Sequence, residues 1–104
     1  LNIALASILI NEKKYGAAKK ILLHQASLHP QAPNIWYMLS DVAGQSSDIV
    51  LVHRANAEYF FLTGETEKSI VQLGLALKRS QDNVILSQVI QKRLNEFYAL
   101  KNEE

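Results

Sequence analysis

The chain is 104 residues long, 48% apolar, 20% charged and formally +1 at pH 7, values that suit one globular domain with a modest core and argue against disorder. Cysteine is absent, which excludes disulfides, thiolate nucleophiles and Cys-based zinc sites, and no apolar run approaches the roughly 18–20 residues of a membrane span. Residues 34–67 set Arg54 alone against Asp41, Asp48, Glu58, Glu65 and Glu67, an acidic belt that interrupts the continuous basic face expected of a nucleic-acid binder.

Residues 1–10 are apolar nearly all round, with Leu1, Leu5, Ile8 and Leu9 at helical spacing, which predicts a short helix covered on several sides. No basic segment precedes an apolar block and a cleavage site, so no signal peptide is read. Because the chain opens at Leu1 inside a helical pattern, it is expected to be part of a longer protein. Asn11-Glu12-Lys13 makes a polar corner. A second helix is expected over 14–28, with Tyr15, Ala18, Ile21, Leu22 and Ala26 inward and Lys13, Lys14, Lys19 and Lys20 toward solvent. Pro30 cannot continue that helix, and Pro33 suits the first turn of the next, expected over 33–43. Its inward stripe is Trp36, Leu39 and Ala43.

Gly44-Gln45-Ser46-Ser47 is a turn cluster, and Ser47 or Asp48 can cap a fourth helix over 48–62. Val52, Ala55, Tyr59 and Leu62 share one stripe of it, with Ala57, Phe60 and Phe61 on adjoining faces. Gly64 suits a residue of positive φ just past the helix end. A fifth helix, over 66–79, has Ile70, Leu73, Ala76 and Leu77 inward. Gly74 within it costs about 1 kcal/mol against alanine, which a close helix crossing would justify. Asp82 is the expected cap of a last helix running to Leu100. Leu86, Val89 or Ile90, Leu94 and Phe97 face inward there, while Lys92, Glu96 and Lys101 face out. The tail 102–104 is expected to fray.

Tyr15, Ala18 and Leu22, then Leu28 and Pro30, then Pro33, Trp36 and Leu39 follow one another at spacings that resemble the junction of two tetratricopeptide repeats. A second stretch, Ala57, Phe60, Gly64, Ser69, Ile70, Leu73 and Ala76, resembles the same repeat offset by one and a half periods. The fourth helix must therefore close one hairpin and open another. The resemblance implies an all-α fold, a right-handed solenoid of about six antiparallel helices forming a single domain over 1–104. It also implies a concave face lined by Asn34, Tyr37, Asp41 and Gln45. From the offset repeat it adds Leu51, Arg54, Glu58, Phe61 and Leu62. The Lys and Asn set with which some of these repeats clamp a terminal carboxylate is not matched. Matching no repeat pattern, the last helix reads as a solvating cap.

Nothing in the sequence argues for catalysis. His24 and His29 are five residues apart and so lie on different helix faces, and no H-E-x-x-H occurs. No glycine-rich phosphate loop occurs either. Glu65 and Glu67 flank a turn and read as helix-starting acids, not an acid–base pair. No metal or cofactor is expected.

The run Pro33 to Leu39, then Ala55 to Gly64, then a non-repeat end helix, is similar to the C-terminal region of bacterial periplasmic zinc metalloproteases. That likeness implies a periplasmic location and a protease site upstream. The expected function is a non-catalytic interaction module that binds a protein or peptide through Asn34, Tyr37, Asp41, Gln45, Arg54 and Glu58. The alternative is a structural role, in which the terminal helices dock on a parent domain or form a homodimer.

Overall fold

The structure, a computed structural model, describes residues 2–103, and of Asn2 the backbone alone. Six helices and no strand occur among the described residues: α1 (Asn2–Asn11), α2 (Tyr15–Leu28), α3 (Pro33–Gln45), α4 (Ile49–Leu62), α5 (Thr66–Arg79) and α6 (Val84–Asn102). The fold is all-α and repeat-like, each helix packing on its neighbours in sequence. The expected inward Leu1 and the tail residue Glu104 lie outside the described residues.

The corners explain where the helices stop. Lys13 (φ 61°), Ser47 (φ 60°) and Gly64 (φ 84°) are the left-handed residues at the α1–α2, α3–α4 and α4–α5 turns. In each turn the next residue's N–H closes on a carbonyl five back: Lys14 on Leu9, Asp48 on Ala43 and Glu65 on Phe60. A left-handed residue just past a helix end satisfies the last carbonyls in this way. Lys13 and Ser47 stand 34 residues apart in the chain, and Ser47 and Gly64 half that, 17. The same corner therefore recurs after 34 and then after 17 residues. The remaining corners differ. His29 accepts from Ala32 N–H, and Ser80 accepts from Asn83 N–H.

Pro33 occupies the first turn of α3, where its missing N–H has no helical partner to lose. Asp48 caps α4 by accepting from Leu51 N–H at 3.2 Å. Ser47 does not cap it, being the left-handed residue. The cap of α6 is Asn83, which accepts from Leu86 N–H at 3.0 Å, and not Asp82. A cap must precede the helix directly so that its oxygen reaches the third N–H.

Two clusters make the core. The first joins Ala6, Ala18, Leu22, Ala26, Ile35, Leu39, Val42, Ala43, Leu51 and Ala55. The second joins Ala57, Leu73, Ala76, Ile90, Leu94 and Phe97. They meet at α4, whose Ala55 and Ala57 are both fully buried and lie about 200° apart on the helix wheel. A helix buried on two sides needs small residues on both, so α4 does close one hairpin and open the next. The molecule measures 42 × 31 × 19 Å, its short axis being that of about two helix layers.

Several expected positions are corrected. In α3 the fully buried neighbour of Trp36 is Ile35, while Trp36 is half-buried and donates its indole N–H to Pro30 O at 2.9 Å. Leu5 and Ile8 are 46% and 53% exposed, so α1 is covered on one side, by way of Ala6. Lys19 does not lie wholly in solvent but reaches Asp48 at 3.3 Å, pairing α2 with the start of α4. Ile90 is buried and Val89 is half exposed, settling the choice in α6. The outer face of α6 is not a polar cap. Val84, Ile85 and Val89 stand 63%, 77% and 49% exposed on it.

Two predictions follow from this packing. Ala18 is fully buried between α1, α2 and α3. Ala18→Leu is therefore expected to destabilise by about 1–3 kcal/mol through overpacking, read as a lowered urea midpoint. Gly74 is not at a close crossing, because a Cβ there would meet nothing within 4 Å. The reason expected for it is absent, and Gly74→Ala should raise stability by about 1 kcal/mol through helix propensity. An unchanged midpoint would show that the glycine is required for some other reason.

Candidate functional site

One side of the array holds a cavity of about 630 Å³, within the roughly 300–1,000 Å³ of ligand sites. Its wall is built by alternate helices. Leu23, Ala26 and Ser27 come from α2, Leu51, Arg54, Glu58, Phe61 and Leu62 from α4, and Arg93 from α6. Pro30, Gln31, Trp36 and Leu73 complete the lining. Helical spacing explains the α4 row: residues 51, 54, 58, 61 and 62 fall on one side of the helix. Its other side carries Asn56, which accepts from Ser40 Oγ and donates to Gln72.

The polar end of the cavity is organised by Arg93. Its Nε and one terminal nitrogen donate to the two oxygens of Glu58, each at 2.8 Å, and its other terminal nitrogen donates to Glu96 at 2.9 Å. The guanidinium lies 4.6 Å from the Phe97 ring centroid and 5.8 Å from that of Phe61. Those rings stack at 4.5 Å and 9°. Hydrogen bonding to Glu58 raises the Arg93 pKa above its usual value against the opposing effect of burial, with Glu96 adding to the rise. This bidentate pair ties α6 to α4 across 35 residues of chain.

Arg54 has the contrary environment. Burial lowers its pKa from the usual value, and the charges of Glu58 and Asp48 oppose that only in part. Both oxygens of Glu58 are taken by Arg93, while Asp48 holds Lys19 and caps α4.

The six residues expected at a contact face are divided. Arg54 and Glu58 line the cavity, as do Leu51, Phe61 and Leu62 of the offset set. Asn34, Tyr37, Asp41 and Gln45 are exposed and do not line it. Tyr37 lies instead against Tyr59, 5.7 Å between centroids, on the far side of α4. The resemblance places Asn34, Tyr37, Asp41 and Gln45 of α3 on a contact face, whereas the cavity takes Trp36 from α3 and Leu23, Ala26 and Ser27 from α2. Leu23, 41% exposed, was the available signal, since Ile21-Leu22-Leu23 carries one apolar residue more than the inner face takes. Arg93 carried no local signal, its partner being remote in sequence.

Among the described residues no group of three or more His, Cys, Asp or Glu side chains converges, and no helix is long and apolar enough to cross a membrane. His53 Nδ1 lies 2.9 Å from Gln72 Oε1, a contact between α4 and α5. Comparison with protein-family models, with curated proteins and with solved structures finds no match.

Proposed function

We propose that the chain is a tetratricopeptide-type interaction module, non-catalytic, that receives a segment of a partner protein in the cavity walled by α2, α4 and α6. The observation that carries this reading is the cavity itself. It is walled by side chains including Leu23, Trp36, Leu51, Phe61 and Leu62 and has Arg54, Glu58 and Arg93 among them. Concave, mostly apolar surfaces with a few placed polar groups are where partners bind. The corner recurring at 34 and 17 residues supports the repeat assignment, 34 being the period of that family. A place at the end of a periplasmic metalloprotease rests on the run Pro33 to Leu39 and on α6 as a non-repeat end. Sequence upstream of Leu1 carrying H-E-x-x-H would establish it.

Short random peptides displayed on phage and selected on the immobilised chain test the module. The expected result is enrichment of peptides with two or more large apolar residues that no longer bind Leu23→Glu. That exposed position tolerates the change without an altered circular-dichroism melt. Enriched peptides that ignore Leu23→Glu would remove the cavity as the contact site.

A second reading is favoured by the exposed Val84, Ile85 and Val89 of α6 and Leu5 and Ile8 of α1. These apolar faces suit docking on a further domain or a second copy. Sedimentation decides between the copies: a dimer that dissociates on Ile85→Glu supports self-association, and a monomer at all concentrations argues against it.

A further inference from the structure

If the cavity is the contact site proposed above, its charge restricts what it accepts. Arg54 stands in mid-α4 on the cavity wall, and among the described residues it has neither a hydrogen bond nor an ion pair. The two carboxylates near it are committed, Glu58 to Arg93 and Asp48 to Lys19 and the α4 cap. A guanidinium keeps its charge and its five donors in a fixed fork when partly dried. Binding a carboxylate there forms charge-assisted, bidentate bonds that no group of the chain supplies. Along α4 the apolar lining lies on both sides of Arg54, with Leu51 one turn before it and Phe61 and Leu62 two turns after.

The geometry points to a partner segment in which an internal Asp or Glu, flanked on both sides by large apolar residues, pairs with Arg54 while its neighbours fill the cavity. A chain-terminal carboxylate would leave one apolar arm empty. An internal carboxylate lets both apolar arms be filled.

Peptides selected on the full chain, then synthesised with amidated ends and titrated by fluorescence anisotropy, test this. The expected peptides share an internal acid. Its replacement by Asn or Gln weakens binding to the unmodified chain about tenfold or more, a result that needs no protein variant. Arg54→Gln should weaken the acidic peptide by the same factor and leave the Asn or Gln form unchanged. Arg54→Glu should select Lys or Arg at that place. Peptides that depend on Leu23 but bind Arg54→Gln and the parent chain alike would overturn the acidic preference and leave the cavity standing. Peptides independent of Leu23 would overturn both. Selection from a library with free C-termini, followed by loss of binding on amidation, would overturn the internal position of the acid.

Discussion

Phe97→Ala should lower folding stability by about 3–5 kcal/mol, a large part of the roughly 5–15 kcal/mol by which a domain is folded. Phe97 is fully buried and the largest such side chain among the described residues. Its ring stacks on Phe61 from α4 and supports the Arg93 guanidinium at 4.6 Å. Truncation therefore removes a buried ring, opens a void beneath α6 and loosens the residue that holds Glu58. The loss should also be uneven. Phe97 belongs to the second cluster, whose members lie on α4, α5 and α6, and in repeat arrays stability is a sum of local and nearest-neighbour contributions. Native-state hydrogen exchange should accelerate in α5 and α6 while the α1–α3 amides keep most of their protection. A uniform loss across the chain would show that the two clusters unfold as one.

Much of this architecture was readable in the residues because its signals are local. Pro33 and Gly64 mark a start and a stop by backbone geometry alone, and α3 begins and α4 ends where those signals place them. Interior assignments were weaker where a helix is buried on two sides. In α4 the burial of Leu51, Ala55 and Ala57 does not follow a single 3.6-residue stripe, so one stripe through Val52 and Tyr59 could not describe it. The contact face was half legible for a related reason. The α4 row follows from its spacing, but which helix stands opposite depends on contacts between residues remote in the chain, such as Arg93 with Glu58 and Lys19 with Asp48. No pattern within one helix reveals a partner 29 or 35 residues away.

Leu39→Ala provides the complementary case and should cost about 2–5 kcal/mol. Leu39 is fully buried in the first cluster, among residues of α1, α2, α3 and the first half of α4. Exchange should accelerate in α1–α3 here and remain slow in α6, the reverse of the pattern for Phe97→Ala. Joining the two changes tests what α4 does. The clusters touch through its backbone, with Ala55 facing one and Ala57 the other, and the broadest helix contacts are those of α4 with α5 and with α3. If the halves unfold as one cooperative unit, the two costs add in a single transition of unchanged slope, because the sites are remote and share no cluster. If each half can open without the other, each change unfolds its own half first. The uneven exchange expected of the single variants predicts that the double variant unfolds over a broadened, shallower denaturant transition. One sharp transition with additive costs would mean that α4 welds the halves into a single unit.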